Sequence, residues 1–452
     1  MDTILMPRAR YKSLVDRFSE EIRSGALPPG TRLPTHRKLA QQYGLALVTA
    51  SRVYAELETM GLVSGEKGRG TFVRETSVPR GHGIDQAPNP ADTQDLNFNS
   101  PALPGQADML REGLRNLAAS GDFEALLHYQ PHAGRHHERA LVAQYLESRG
   151  LSTEAEQVVI TCGAQQGLAT SILALLNPGD AVLADALIYP GFRAVAEMHK
   201  LEILPVSLTE SGPNLDEMEA LCKQRKVRAL HAMPTLHNPL GWVLSLEQRR
   251  RLIDIARKHE LIIIEDAAYA FHAAEPPPPL AALAPERTLY VSGFSKNVAT
   301  GLRVGYIVSP KHWIPKLERI IRATTWNTPA LMTALVCRWI EDGTLAELEQ
   351  AKRKDALARQ TLASNIFHDW HCISHEASSF LWLQLPEDVR AEQVVSALLS
   401  RQVAVATAEP FATTTHIPNA IRMALGSIDF EQLEPTLKTV RQVIDDLSVG
   451  VV

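Results

Sequence analysis

Seven short apolar runs, at 158–161, 181–184, 203–206, 229–233, 261–265, 289–292 and 305–308, restrict the fold of this 452-residue chain more than any other feature. Amphipathic stretches of helical period lie between them, and Ser245 with Gln248 has capping-box spacing at the start of one such helix. Runs this uniformly apolar have no solvent face, so they belong in a sheet covered on both sides. Strands alternating with helices give an α/β, doubly wound, mostly parallel sheet, whose ligands bind beyond the carboxyl ends of the strands. After about residue 330 comes a long helical stretch, 329–363, and then an α+β region ending near Leu447. That part reads as a smaller C-terminal domain.

The first 75 residues follow a different pattern. Tyr11, Leu14, Val15, Phe18 and Ile22 recur at helical spacing as far as Ser24-Gly25, and Pro28-Pro29-Gly30 turns the chain. Thr35 is placed to cap a short second helix through Leu39 and Ala40 to Tyr43, which Gly44 stops. A third helix over about 48–60 has Ala50, Val53, Tyr54 and Leu57 on one face, with Thr49, Ser51, Arg52 and Glu56 off it. Two strand-like pieces then flank a loop holding Lys67 and Arg69 among Gly65, Gly68 and Gly70. The whole reads as a winged helix-turn-helix. On that reading Thr49, Ser51 and Arg52 enter the major groove, while Arg37, Lys67 and Arg69 hold phosphates. A three-helix protein-binding module with solvated charges fits the same periodicity. Charge points towards a polyanion: residues 1–75 carry twelve Lys/Arg against eight Asp/Glu, and the remainder 34 against 43. Residues 76–95, rich in Pro, Gly and polar side chains, read as a linker. The expected division is a winged helix at 8–75, the linker, a large domain at 96–330 and a small domain at 331–447.

Residues of chemical interest fall mostly at strand ends. Lys296 lies in the strand–loop–strand VSGFSKNVATGLRVGYIV, seven residues before Arg303. A lysine leaving a buried strand suits a Schiff base with a carbonyl cofactor, and an arginine's planar fork suits a phosphate; taken alone, the pattern also suits a surface lysine. Asp266 ends the run LIIIED, with Tyr269 three residues on. Its carboxylate needs a partner, which a protonated pyridine nitrogen, a helix start or a structural arginine would each supply. Thr161 to Gln166 join a strand to a helix, where backbone N–H groups and the helix dipole receive a phosphate. Asn238 in HNPLG suits a hydrogen bond to a phenolic oxygen or a turn before Pro239, and Tyr189 in YPGF suits a flat ring or the core.

The ordered string PPGTRLPTHRKLAQQYG…TASRVYAELETMGLVSGEKGRGTFV resembles the GntR type of winged helix along its whole length. From about residue 96 to 447 the pieces resemble, in the same order, the fold-type I, class I aminotransferases. Together they resemble the MocR family of regulators. That resemblance implies pyridoxal 5'-phosphate as cofactor. Lys296 would be its Schiff-base residue, Asp266 would pair with the pyridine nitrogen, and Tyr269 and Asn238 would hold the ring oxygen. Tyr189 would cover the ring, and Gly163, Ala164, Gln165, Ser295 and Arg303 would hold the phosphate. Arg422, in AIRMALG, aligns with the clamp on a substrate or effector carboxylate, and Tyr129 with the tyrosine that reaches a neighbour's phosphate. The resemblance further implies a homodimer whose reading heads lie against the partner's body. The expected partners are double-stranded DNA, a second copy, and an effector that is an amine, an amino acid or pyridoxal phosphate. The chain departs from the pattern at several positions. Ala46-Leu47 replaces a usual Ser-Arg pair, Gly293 a usual hydroxyl residue, and Ala267-Ala268 often bulkier or acidic ones. QPHAGRHHERA replaces a glycine–proline–leucine–arginine run, and FNSPALP at 98–104 lacks a usual glycine.

A cytoplasmic protein is expected. No run approaches the ~18 apolar residues that a spanning helix needs. The apolar start, residues 1–6, is too short for a secretory leader and is followed by Arg8, Arg10 and Lys12. Cys162, Cys222, Cys337 and Cys372 are far apart and read as reduced thiols. His132, His136 and His137 have no companion cysteine and read as a polar loop, so no metal is expected. Three functions remain open: a regulator sensing pyridoxal phosphate or an amino compound through the Schiff base at Lys296, a working aminotransferase with an accessory winged helix, and a DNA-binding protein with an empty, dimerising body.

Overall fold

A computed structural model describes residues 7–23, 26–28, 31–60, 62–66, 70–73, 93–120 and 123–449. Three helices, α1 (Pro7–Arg23), α2 (His36–Tyr43) and α3 (Leu47–Thr59), precede an antiparallel hairpin of β1 (Val63–Glu66) and β2 (Gly70–Val73). Their shared core holds the residues that the apolar spacing marks, from Tyr11, Leu14, Val15, Phe18 and Ile22 to Leu39, Ala50, Val53, Tyr54 and Leu57. Thr35 caps α2 by accepting from the Lys38 N–H, and Gly44 ends it at φ 61°, a left-handed conformation that costs glycine little. α3 starts one residue earlier than its apolar pattern indicates, on Ala46, whose methyl group makes no capping bond. Glu56, off the apolar face by sequence, is nonetheless buried, because Lys12 of α1 meets it at 2.8 Å. Lys67 and Arg69 lie outside the described residues.

The large sheet comprises β3 (Val158–Thr161), β4 (Ala181–Asp185), β5 (Glu202–Val206), β6 (Val227–Ala232), β7 (Ile262–Asp266), β8 (Thr288–Gly293) and β9 (Gly305–Val308), in the order β3-β9-β8-β7-β6-β4-β5. Every pairing is parallel except the two that β9 makes. All seven apolar runs are strands, displaced at their ends by at most a residue or two. Both faces are covered: Leu183, Leu230 and Ile263 feed one core, and Val182, Ala229 and Ile264 the other. α4 (Ala164–Leu175) and α5 (Pro190–Met198) follow β3 and β4.

Three local expectations are corrected. Gln94 and Asp95, linker residues by composition, pair in parallel with Val403 and Ala404, and Leu96 is buried among small-domain side chains. Backbone pairing plus one buried leucine outweighs polar composition; residues 76–92 lie outside the described set. The stretch 329–363 is two helices, α6 (Ala330–Glu341) and α7 (Thr344–Ile366), parted at Gly343 with φ 85°. α6 packs Leu335, Val336 and Trp339 in one cluster with Tyr290, Phe294 and Tyr306, so large-domain packing continues past residue 330. His136 and His137 open the helix His136–Glu147, where Glu138 accepts from the Arg135 N–H, instead of lying in a loop.

Beyond α7, segments Cys372–Ile373, Phe380–Gln384, Ala406–Thr407 and β10 (Ala420–Ala424) form a four-stranded antiparallel sheet. The head meets this part through Arg390, whose Nη2 donates to Asp16 Oδ2 at 2.8 Å and to the Lys12 carbonyl. Among the described residues no helix is long and apolar enough to cross a membrane, and no cluster of His, Cys, Asp or Glu could hold a metal.

Candidate cofactor site and DNA-reading head

Eight of the candidate site residues named above line one solvent-open pocket with about 660 Å³ of empty space: Ala164, Gln165, Tyr189, Asp266, Tyr269, Ser295, Lys296 and Arg303. They come from loops and strand ends that are distant in sequence and meet at the carboxyl edge of the sheet, as a doubly wound topology requires. Met233, Ala268, Gly293 and Thr300 line it too.

One end of the cavity is built for an anion. Gly163, at φ 82°, is the N-cap of α4 and leaves the first N–H groups of that helix uncapped by any side chain. Arg303, itself in a left-handed conformation, donates from Nη1 to Ser295 Oγ at 3.3 Å and from Nη2 to the Cys162 carbonyl at 3.2 Å. The guanidinium is thereby parked against the helix start. Glycines make the closeness possible: a Cβ on Gly305 would stand 2.5 Å from the Gly163 carbonyl carbon, and one on Gly293 3.0 Å from Gly305 Cα. Gly305→Ala is expected to displace the start of α4, lowering stability by about 1–3 kcal/mol and weakening phosphate binding. A thermal melt and a cofactor titration read the two effects.

The same cavity is lined by Asp266, only 2% exposed. Burial pushes its carboxyl up to about 6, against a single opposing hydrogen bond from the Ala268 N–H at 3.1 Å. No cation pairs with it among the described residues. Tyr189 also lines the cavity, its phenol raised by burial, and Gly191 permits its position because a Cβ there would come within 2.4 Å of the ring. Gln165 donates to the Gly191 carbonyl at 2.8 Å, and its own Oε1 has no partner.

Lys296 Nζ donates to the Asn99 carbonyl and stands 5.8 Å from the Tyr269 ring centre. Its loop is held from behind by Lys352 of α7, which donates to the carbonyls of Lys296 at 3.1 Å and of Pro101 and Val298 at 2.8 Å. Burial, then the charge of Lys296, lowers Lys352 to about 8. Arg422 of β10 is buried, donates to the Asn97 carbonyl at 2.7 Å, and has an unpartnered Nε. Desolvation lowers it to about 10. Segment 97–99 thus touches both Lys296 and Arg422 through main-chain oxygens.

Two further candidates are not among the residues that line the cavity. Asn238 is buried with Oδ1 unpartnered, in a loop that Arg249 ties down by donating to the Pro234 and Leu244 carbonyls. Tyr129 is 85% exposed, against Trp326 at 5.3 Å, and does not line the cavity of its own chain. On the head, Arg37 and Arg52 are exposed, Arg52 4.7 Å from the Tyr11 ring centre. Thr49 is half-buried, and Ser51 Oγ lies 2.9 Å from His36 Nδ1.

The residues fit pyridoxal 5'-phosphate. A buried carboxylate with no cation beside it among the described residues suits a protonated ring nitrogen, an uncapped helix start with an arginine suits a phosphate, and Lys296 offers an amine in the same cavity. Residues 92–440 match the family "Aminotransferase class I and II". The chain belongs to that family. Residues 10–73 match the gntR family of bacterial regulatory proteins, so a GntR head precedes the aminotransferase domain, which is the MocR arrangement. The uncharacterized HTH-type transcriptional regulator YdeF of Bacillus subtilis is 27% identical over 97% of this chain and 95% of its own. The 2-aminoadipate transaminase of Thermus thermophilus is 28% identical over 72% of this chain and 83% of its own. The aminotransferase domain also resembles the solved structure of LysN, an alpha-aminoadipate aminotransferase from Thermus thermophilus, with TM-score 0.73 and 25% identity over 79% of this chain and 94% of that one.

Proposed function

We propose that this chain is a DNA-binding transcription regulator whose aminotransferase domain binds pyridoxal 5'-phosphate and senses the cofactor itself, or an amino compound, at Lys296. Asp266 carries the reading: a buried carboxylate without a cation partner among the described residues, in one cavity with the Lys296 amine, in a chain headed by a helix-turn-helix. When bound, the cofactor supplies an electrophilic carbon for an amine and an electron-withdrawing ring. Lys296 supplies the amine that holds it. Asp266 keeps the ring nitrogen protonated, Asn238 and Tyr269 hydrogen-bond the ring oxygen, and Tyr189 covers one face. Gly163, Ala164, Gln165, Ser295 and Arg303 hold the phosphate, and Arg422 receives an effector carboxylate. Tyr129 serves the neighbouring site in a homodimer, which its exposure beside Trp326 allows.

Thr49, Ser51 and Arg52 read bases, and Arg37, Lys67 and Arg69 hold phosphates. Acting on chromosomal DNA places the protein in the cytoplasm. Arg37→Ala is expected to weaken all duplexes alike and to reduce the slope of log affinity against log salt by about 0.9. A salt titration by fluorescence anisotropy measures it.

A second reading, a working aminotransferase, is favoured by the unpartnered Nε of Arg422 and by similarity to named transaminases. The two separate by stoichiometry. For the regulator, an amino acid added to the cofactor-loaded protein changes the absorbance of the bound cofactor, yields at most one ketoacid per chain, and alters binding to the DNA upstream of its own coding sequence. Many turnovers with unchanged DNA binding would replace the regulator by the enzyme.

A further inference from the structure

The first turn of α3 exposes apolar side chains where a DNA-reading helix is expected to be polar. Ala50, Val53, Tyr54 and Leu57 turn into the head's core, which puts Val48, Arg52 and Ala55 at i, i+4 and i+7 on the opposite side. Val48 is 81% exposed and its neighbour Leu47 47%. Nothing in the fold rewards this. Ala46 gives no capping bond, and valine at an exposed helical position is a weaker helix former than alanine or a charged residue. The same head carries exposed cations, Arg52 one turn along this face and Arg37 and Lys38 at the start of α2, and none has a carboxylate partner among the described residues. An apolar helix start on a head with carboxylate-free cations matches duplex DNA better than an apolar protein surface.

We propose that Val48, assisted by Leu47, reads the 5-methyl group of thymine in the major groove; this rests on the DNA-binding reading above. The first turn of a recognition helix is the part that meets base edges. Thymine presents the one apolar group on those edges, while the others offer donors and acceptors. A valine set against a donor or acceptor would strip it of water without replacing the hydrogen bond, so the same side chain that accepts thymine rejects guanine and cytosine. Val48 therefore fixes a thymine in each half of the operator.

The test uses the full-length protein and duplexes that it selects from a random pool. Each selected thymine is then replaced in turn by deoxyuridine, which removes only the methyl group. The expected result is that one position per half-site weakens wild-type binding by about fourfold, the worth of one buried methyl. Val48→Ala is expected to bind the thymine duplex less tightly and to be indifferent to uracil at that position. Because Val48 is exposed, this variant keeps the fold, which a thermal melt verifies. Equal uracil effects in wild type and Val48→Ala, or no uracil effect at any position, overturn the proposal while leaving DNA binding intact. Val48→Ala losing affinity equally for both duplexes also overturns it, and assigns the patch to packing or to a protein contact. Failure to enrich any duplex overturns both this proposal and the DNA-binding reading.

Discussion

Replacing Lys296 by alanine is expected to abolish the covalent attachment of pyridoxal phosphate, taking the borohydride-stable label from about one per chain to none. The geometry makes the loss total. Lys296 is the lysine that lines the cavity, and Lys352, the other amine nearby, spends its donors on the carbonyls of Pro101, Lys296 and Val298. The substitution leaves that clamp in place, since it grips main-chain oxygens, so the loop keeps its course. Phosphate binding at Arg303, Ser295 and the start of α4 also survives. The variant is therefore expected to hold the cofactor loosely and to lose the lysine-linked absorption band. Peptide mapping after borohydride reduction checks the wild type, and a label on any other lysine would contradict the assignment.

The second large effect has opposite signs with and without cofactor. Asp266 titrates near 6 in the folded, cofactor-free chain because burial disfavours its charge. Its unfolded value is that of an ordinary aspartate, about 4. Between those pH values the folded state binds more protons than the unfolded one, so stability is highest on the acid side and falls as pH rises from about 4 to about 6. By pH 7 the charged carboxylate costs roughly 3 kcal/mol. Asp266→Asn removes that cost. The cofactor-free variant is expected to melt higher than wild type at pH 7.5, with the advantage shrinking as pH is lowered towards 5. Adding pyridoxal phosphate reverses the order, because only the wild type offers an anion to the ring nitrogen. Glu265, also raised by burial, to about 7, accepts from the N–H groups of Leu280 and Ala281 and is unaltered in both proteins. Any residual pH dependence in the variant belongs in part to it. Equal melting points at pH 7.5 and equal cofactor affinity would remove Asp266 from its role.

Much of this was visible in the chain because chemistry and periodicity coincide. The seven apolar runs lack a polar face, and that alone specifies a covered sheet. Asp266 stands out because a charged residue directly after such a run is otherwise costly, and Lys296 and Arg303 stand out as cations in the loop joining two such runs. Met233 and Thr300 also line the cavity but carry no such signal, being an ordinary apolar residue and an ordinary hydroxyl. Main-chain oxygens are silent too, so the grip of Asn97 on Arg422 and of Asn99 on Lys296 could not be read.

α7 misleads for a different reason. Its charged residues suggest a solvated face, yet Glu349, Lys352, Arg359 and Gln360 are all buried. Glu349 meets Arg149, Tyr145 and Asn297, while Arg359 and Gln360 donate to carbonyls across the small domain. Long polar side chains enter the interior when main-chain groups need partners there, and no period in the sequence reports that need. The helix break at Gly343 was hidden similarly, since helical propensity on both sides of one glycine reads as continuous.

An effector alters DNA binding only through unequal affinity for two states of the protein, typically worth 5- to 150-fold, on the order of 1–3 kcal/mol. The most direct measurement of the central claim is DNA affinity against pyridoxal phosphate concentration, by anisotropy on the fragment upstream of the protein's own coding sequence, for wild type and Lys296→Ala in parallel. The account predicts at least about a fivefold change in wild-type affinity as the lysine-linked band saturates, and a flat response in the variant. Identical curves for the two proteins, or a wild-type affinity that ignores the cofactor, would contradict it.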